Sequence, residues 1–512
     1  MIARIFLEEL LDMDYKKLQN GSDIRGVAIE GVAGEDVNLS NEAAGDIALA
    51  FAVWLAGRLQ KDVKALRVCV GRDSRLSGES LSAAVTSAIA DTGACVFDAG
   101  LATTPAMFMS TVMPGYDMDG AIMITASHLP FNRNGMKFFT ADGGLDKEDI
   151  SDILVLAEKA DEIRPDNKEE NRRISESDLM EAYASYLRGL ITSSLGDDEN
   201  CLKDMHIVVD SGNGASGFFA TEVLAPLGAD ISGSQYLEPD GNFPNHAPNP
   251  EDAEAMKAIC HAVDESKADL GIIFDTDGDR ASAVAPGGIA IARNEIIALA
   301  SALKAKENPG GIVVTDSITS DELTDFLEKK LGLKHFRYRR GYRNVIKKAK
   351  ELCEADKNAF LAIETSGHAA YAENYYLDDG AYLAVQAVIS TARLKAKGAD
   401  IMSLIKDLKS PAESLEIRYK IRREDYASYA AGILEDMEKW ADETEGLELV
   451  KPNYEGVRVN YALEGYTGWF LFRKSLHDPV MPLNIESARE GGIDKALDLI
   501  SAFMQNYKDV EK

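Results

Sequence analysis

GAIMITASHLPFNRNGMKFF, residues 120–139, is the stretch that decides how the chain reads. Ala121, Ile122, Met123 and Ile124 form an apolar run of the kind that fills a buried strand. The run stops at Thr125-Ala126-Ser127-His128, small and polar residues that fill no core. Leu129-Pro130 bars helical continuation, because proline pushes its predecessor toward extended backbone. Asn134-Gly135 is a strong turn signal and predicts that the chain returns there into Met136-Lys137-Phe138-Phe139. One hydroxyl, Ser127, is thus expected at a strand end beside the His128 imidazole, with the Lys137 ammonium brought back nearby.

Around this stretch the chain alternates strand and helix patterns. Residues 66–70 read as a strand that runs into Gly71-Arg72-Asp73-Ser74-Arg75-Leu76-Ser77-Gly78 and a following helix. Residues 94–98 and the Thr103-Thr104-Pro105 turn lead back to the opening stretch. This grammar predicts an α/β domain with a largely parallel sheet. Residues 158–178 are charged and poor in apolar side chains, and read as a connection out of that domain. Residues 206–210 begin a second strand–turn–helix unit through Ser211-Gly212-Asn213-Gly214, and residues 311–315 a third through Asp316-Ser317-Ile318-Thr319-Ser320. The fold class expected is therefore α/β: three related α/β domains with mixed sheets. Beyond Ser410-Pro411, residues 415–421, 456–460 and 468–472 read as strands of an antiparallel sheet, with helices at 425–443 and 492–507. That makes a smaller C-terminal α+β domain.

At 512 residues the chain is too long for one core, and its 46% hydrophobic and 27% charged content is that of a soluble globular protein. A formal net charge of -30 argues against nucleic acid or an anionic membrane as partner. It leaves room for small anionic substrates where basic residues line a site. Five scattered cysteines, never spaced as CxxC, read as reduced thiols of a cytoplasmic protein. The acidic, interrupted start MIARIFLEELLDMDYKK is not a signal peptide, and no apolar run approaches the roughly 20 residues that span a bilayer.

The sharpest chemical signal is LGIIFDTDGDR, residues 270–280. A buried strand delivers Asp275, Asp277 and Asp279 within five positions, and Gly278 permits a tight turn. Two like charges about 4 Å apart repel by roughly 4 kcal/mol at an effective dielectric near 20. Three carboxylates on one turn therefore want a cation, and all-oxygen ligation favours Mg2+. An EF-hand is excluded: the glycine is at the wrong offset and Pro286 stands where the closing glutamate belongs. A rival reading makes Asp275 the nucleophile of an aspartyl-phosphate phosphatase. A second rival takes Gly212-Asn213-Gly214-Ala215-Ser216-Gly217, with Glu238 beyond it, as a dinucleotide fingerprint of an NAD-dependent oxidoreductase. Glu364-Thr365-Ser366-Gly367-His368, after the strand at 360–363, suits sugar hydroxyls, and Arg473-Lys474-Ser475 suits a phosphate.

Taken in order, SDIRG, VGRDSRLSG, TASHLP with NGMKF, PDGNFPNHAPNP, DTDGDR and ETSGH resemble the α-D-phosphohexomutase family (phosphoglucomutases, phosphomannomutases and phosphoglucosamine mutases) over nearly the whole chain. The resemblance implies four domains around a central cleft. These are a phosphoserine domain (1–190), a metal-binding domain (191–305), a sugar-binding domain (306–411) and a C-terminal phosphate-binding domain (412–512). It implies that Ser127 is the phosphoserine and that Mg2+ is held by Ser127, Asp275, Asp277 and Asp279. Arg25, Lys137 and Arg280 would neutralise the transferring group, and His128, Lys137 or His368 would move protons. Glu364, Ser366, His368, Tyr342 and Arg343 would bind the sugar, and Arg473, Ser475 and His477 its other phosphate. The reaction implied exchanges phosphate between the 1- and 6-positions of a hexose phosphate through a hexose 1,6-bisphosphate, which also activates the enzyme. A monomer or homodimer is expected. The chain departs from the family at Leu129, Ile363 and Arg343. In the last loop it departs at Leu476 and His477, which replace a glycine and a threonine, and at Pro482. A non-catalytic sugar-phosphate binder is the alternative of a different class, and it has no need of a phosphoryl-carrying serine.

Overall fold

The computed structural model describes residues 14–165, 172–196, 199–475 and 478–512. The chain divides into two compact units. The first holds the residues up to Ala292 together with Ser366–Ala369 and Asn374–Ser403. The second holds Arg293–Thr365, Ala370–Glu373 and Leu404–Lys512.

In the first unit, the strands Arg67–Arg72, Cys95–Leu101 and Gly120–Ile124 lie parallel, with Arg67–Arg72 in the middle. Arg133–Thr140 returns antiparallel beside Gly120–Ile124, and Asp23–Val27 adds on its far side. The sheet is thus mixed. Every residue of Gly120–Ile124 is buried, as its unbroken apolar run predicts. The helices Asn41–Leu59, Gly78–Asp91 and Lys147–Ala157 close the core with Phe51, Leu55, Val85, Ile89, Ile150 and Leu154. A second sheet runs Ile289–Ile291, Ala281–Ala285, Leu270–Phe274, Ile207–Asp210, of which the last two are parallel. The turn between Leu270–Phe274 and the antiparallel Ala281–Ala285 carries the three aspartates.

Two expectations are corrected here. Residues 158–178 are no mere connection, because Arg173–Glu176 pairs parallel with Cys95–Leu101 as an edge strand. All four of its residues are exposed, so it carries no apolar alternation that would announce it. Nor do Asn134-Gly135 turn the chain. Both are buried inside Arg133–Thr140, and the turn falls at Phe131-Asn132. Glycine is required at 135 by packing: a Cβ there would stand 2.2 Å from the Ile24 carbonyl oxygen and 2.8 Å from that of Thr125. Both neighbours are backbone and cannot turn aside. Gly135→Ala is therefore expected to cost about 1–3 kcal/mol, read as a lowered unfolding midpoint of the first transition in a thermal melt. An unchanged melt would show that the two strands separate freely.

The second unit has Ile312–Thr315 flanked by parallel Lys334–Arg337 and Leu361–Ile363. Its C-terminal part is an antiparallel sheet in which Glu413–Ile421, Val480–Ser487, Tyr466–Phe472 and Val457–Leu463 are successive neighbours, covered by Tyr426–Glu443 and Gly492–Met504. The C-terminal sheet is fastened to the rest of this unit by Arg458. Its buried guanidinium stacks 3.7 Å from the Trp469 ring and donates to the carbonyls of Ser317 and Thr319. Among the described residues, no helix is long and apolar enough to cross a membrane. Cys69 is a buried free thiol.

Candidate active site

Ser127 follows the buried strand Gly120–Ile124 and sits at φ +48°, in the left-handed region. A non-glycine residue enters that region at a cost of roughly 1–2 kcal/mol. Its backbone is held there by local bonds. The Ser127 N–H donates to Thr125 Oγ1 at 2.9 Å, and Thr125 Oγ1 donates to Asp73 Oδ2 at 2.6 Å. The consequence is that Ser127 Oγ, from a residue only 9% exposed, points at the aspartate turn. It donates to Asp275 Oδ2 at 3.1 Å and accepts from Arg280 Nη2 at 3.0 Å. Residues 148 and 153 positions apart thus meet at one hydroxyl.

Asp275, Asp277 and Asp279 offer oxygens that all lie within 4.8 Å of one another, and all three residues are buried. Asp275 is fully engaged: Oδ1 accepts the N–H groups of Gly278 and Arg280, and Oδ2 accepts Arg280 Nε at 2.9 Å. Lys137 Nζ donates to Asp277 Oδ2 at 2.9 Å and Asp279 Oδ2 at 2.5 Å. Thr104 Oγ1 also donates to Asp277 Oδ2, at 2.5 Å. That leaves Asp277 Oδ1 and Asp279 Oδ1 buried without a hydrogen bond. Two orphaned carboxylate oxygens beside a third carboxylate and a serine hydroxyl fit a hard divalent cation. Burial and the neighbouring Asp279 push the Asp275 carboxyl well above its ordinary value. Burial acts the same way on Asp277, but Lys137 and the Thr104 hydroxyl outweigh it and hold that carboxyl low.

His128 Nδ1 lies 2.6 Å from Arg280 Nη2 and 3.3 Å from Ser127 Oγ. A guanidinium only donates, so Nδ1 is the acceptor and the ring is neutral with its proton on Nε2. Burial and the cations Arg280 and Arg25 push the His128 value down to about 3, in agreement. Arg25 donates to the Thr125 carbonyl and, at 2.9 Å, to Asp23 Oδ2, so it braces the serine loop from the neighbouring strand. His368 Nε2 stands 3.6 Å from Asp279 Oδ1, and Ser366 Oγ is 2.8 Å from His368 Nδ1. Burial, partly opposed by Asp279, pushes His368 down to about 3. Ser366 and His368 therefore belong with the aspartates in the first unit, whereas Glu364, two residues earlier, belongs to the second.

In the second unit, Glu364 is 4% exposed and its Oε1 accepts the Gly341 N–H at 2.7 Å. That bond fixes the entry to the helix Tyr342–Glu354, which presents Tyr342 and Arg343, both half-buried, in its first turn. Arg473 is 7% exposed and its Nε makes no hydrogen bond. Burial and the nearby Arg340 hold its guanidinium below the ordinary arginine value. Ser475 donates its N–H to the Val480 carbonyl at 2.9 Å, and its Oγ accepts the Asp478 N–H at 3.2 Å. Pro482 lies inside Val480–Ser487, where its carbonyl accepts the Arg473 N–H at 3.1 Å. Leu476 and His477 lie outside the described residues.

The rival fingerprint at residues 212–217 is filled by the protein itself. A Cβ on Gly214 would stand 2.5 Å from the Thr276 carbonyl oxygen, and one on Gly217 would stand 2.2 Å from that of Leu237. Gly214 admits the aspartate turn and Gly217 the Leu237 backbone, and no pyrophosphate has room against them. Two residues went unassigned in the sequence. Thr104, expected in a turn, opens the helix Thr104–Met109 instead and bears no mark of its target 173 positions away. Arg75, in the Gly71–Gly78 run, donates from Nη1 to the carbonyls of Pro130 (2.8 Å) and Arg133 (2.9 Å), and from Nη2 to those of Ser127 and Leu129. It clamps the serine loop from inside.

A buried serine hydroxyl held between a carboxylate and a guanidinium, over a cation-ready aspartate turn on an α/β scaffold, is equipment for phosphoryl transfer. The comparisons with known proteins agree. Three models of the phosphoglucomutase/phosphomannomutase family match in order: alpha/beta/alpha domain I at residues 16–164, domain II at 181–288 and domain III at 293–408. A phosphomannomutase/phosphoglucomutase of Pseudomonas syringae pv. tomato is 30% identical over 84% of this chain and 84% of its own. A phosphoglucomutase of Neisseria gonorrhoeae is 26% identical over 93% and 95%. A crystal structure of a phosphoglucomutase/phosphomannomutase family protein from Burkholderia thailandensis superposes with TM-score 0.77 at 25% identity, covering 96% of this chain and 97% of that one. The chain belongs to the phosphoglucomutase/phosphomannomutase family of α-D-phosphohexomutases, isomerases of hexose phosphates.

Proposed function

We propose that Ser127 is the phosphoryl carrier of this phosphohexomutase, and that glucose or mannose phosphates, the sugars named by its relatives, are its substrates. The observation that carries the reading is Ser127 Oγ, bonded at once to Asp275 and Arg280 beside two orphaned carboxylate oxygens. In the transfer, the bond from phosphorus to Ser127 Oγ breaks as one forms to the free hydroxyl of the hexose phosphate; the proton that hydroxyl loses is matched by the one Ser127 Oγ gains, giving a hexose bisphosphate and a free serine. The bisphosphate then returns its other phosphoryl group to Ser127. Arg280, already donating to Ser127 Oγ, neutralises charge on the moving group. Lys137, held as an ammonium between two carboxylates, supplies a proton donor beside it, and the neutral His128 supplies its Nε2–H. Asp275, Asp277 and Asp279 would hold Mg2+, which when bound adds positive charge against the phosphoryl oxygens. Each unit has its own share: the first transfers phosphate, and the second offers Glu364, Tyr342 and Arg343 for sugar hydroxyls and Arg473 and Ser475 for phosphate.

The test is a screen of hexose 1-phosphates for conversion to 6-phosphates, primed with glucose 1,6-bisphosphate. Conversion is expected with Mg2+, and chelation is expected to abolish it until Mg2+ is restored. Binding of every hexose phosphate without any conversion would instead support a non-catalytic binder.

A further inference from the structure

PDGNFPNHAPNP, residues 239–250, has no role in the chemistry above, yet it contains a histidine whose surroundings fix its charge. Asp210, at the end of Ile207–Asp210, is wholly buried. Its Oδ1 accepts the Gly212 N–H at 2.8 Å and its Oδ2 accepts Gln235 Nε2 at 2.7 Å, so donors meet both oxygens. His246 Nε2 lies 3.0 Å from Asp210 Oδ2 and 3.2 Å from Oδ1. On the other side of the ring, Nδ1 lies 2.8 Å from the Ala247 carbonyl oxygen. A carboxylate and a carbonyl only accept, so both ring nitrogens must donate and the ring is an imidazolium. Burial pushes the ring value down, but Asp210 and the Ala247 carbonyl outweigh it and hold it above that of ordinary histidine. The charged groups that face the ring are Asp210 and Asp252. Glu254, Lys257, His261 and Asp264, on the helix Ala253–Ser266, line the adjoining cavity.

What this pair fastens is the loop that touches both arginines of the serine site. Asn249 Oδ1 accepts Arg280 Nη1 at 3.2 Å, and Asn245 Nδ2 donates to Asn213 Oδ1 at 2.8 Å. The Phe243 ring lies 5.4 Å from the Arg75 guanidinium, and a Cβ on Gly241 would stand 2.5 Å from the Leu76 nitrogen, so the loop is pressed onto the turn that carries Arg75. We propose that His246, held as an imidazolium by Asp210, is a positioning residue that sets Arg280 through Asn249 and Arg75 through Phe243 and Gly241. Its kinetic consequence rests on the assignment of phosphoryl transfer to Ser127; its protonation state does not.

The test has two arms. In imidazole-15N spectra of the whole enzyme, the His246 resonances are identified as those lost in His246→Gln. At pH 7 both nitrogens are expected to carry a proton, and a neutral ring with one bare nitrogen overturns the proposal whatever the enzyme's activity. In the kinetic arm, Asp210→Asn is expected to lower kcat on the order of tenfold to a hundredfold with KM little changed, because a displaced Arg280 acts on the transferring group. The sign of the pH effect follows from a raised histidine value: the pair holds below that value and is lost as pH rises through it. The alkaline fall of kcat is therefore expected to begin at lower pH in Asp210→Asn. A profile that superposes on that of the parent overturns the positioning role. His261→Gln, on the exposed side of the same cavity, is expected to leave both readouts unchanged. Should Asp210→Asn not fold, the parent spectra decide the matter.

Discussion

Ser127→Ala is expected to lose mutase turnover by about 10^4-fold or more, the scale on which removal of an attacking side chain is felt in enzymes that work through one. Neither neighbouring threonine can take its place: Thr125 Oγ1 is committed to Asp73, and Thr104 Oγ1 to Asp277. The fold should survive, since the Ser127 N–H bond to Thr125 needs no side chain at 127, and Arg280 keeps Asp275. Intact-mass measurement after incubation with glucose 1,6-bisphosphate should show one added phosphate on the parent chain, mapped to the peptide with Ser127, and none on the variant. The same pair of samples separates the rivals. An aspartyl phosphatase would keep hydrolysing in Ser127→Ala and stop in Asp275→Asn, and a pure binder would never take up phosphate. Mutase turnover retained by the alanine variant would sink the assignment outright.

The parts of this site that were legible in the sequence are those whose signal is local. The run Ala121–Ile124 ends at Ser127 because a buried strand must stop where small polar residues begin, and both sides of that boundary are written within eight positions. The three aspartates are legible for the same reason: three carboxylates on one turn are costly wherever the turn lies. What was hidden depends on partners far along the chain. Gly135 looks like a turn glycine in any window, and only the carbonyls of Ile24 and Thr125 show it to be a packing glycine. The edge strand Arg173–Glu176 is exposed throughout, so its pairing with Cys95–Leu101 leaves no apolar trace. Ser366 and His368 read as company for Glu364, yet the chain passes from one unit to the other between Thr365 and Ser366. The antiparallel bridge of Arg280 with His368 then sets the imidazole beside Asp279. Arg75 is the extreme case. Inside a glycine-rich polar run nothing marks it, because its targets lie more than fifty residues on.

Arg75→Met should therefore cost more stability than any change at the aspartates' rim. The side chain is 1% exposed, and four carbonyls of the serine loop share its two terminal nitrogens. Methionine of similar length fills the space and leaves those carbonyls without donors. It also leaves Asp73 buried beside nothing positive, because Arg75 Nε stands 3.4 Å from Asp73 Oδ2. Removal of one partner from a buried ion pair typically costs about 3–5 kcal/mol. The effect has a direction in pH. Burial pushes the Asp73 carboxyl up to about 6 against the pull of Arg75, and without that pull it rises further. A raised carboxyl value means stability that is present at low pH and lost as pH rises through it. The gap in unfolding midpoint between parent and Arg75→Met should thus be smaller at pH 5 than at pH 8. Lysine is no substitute, since one ammonium cannot fork to four carbonyls, so Arg75→Lys should recover the charge partner of Asp73 but not the loop. Phosphate uptake by Ser127 reads the loop and the pH dependence of stability reads the charge pair: uptake should stay low in both variants, while the pH dependence returns toward the parent only in the lysine one. If Arg75→Met melts with the parent at both pH values, the serine loop is held by its own turn and Thr125, and the clamp is ornament.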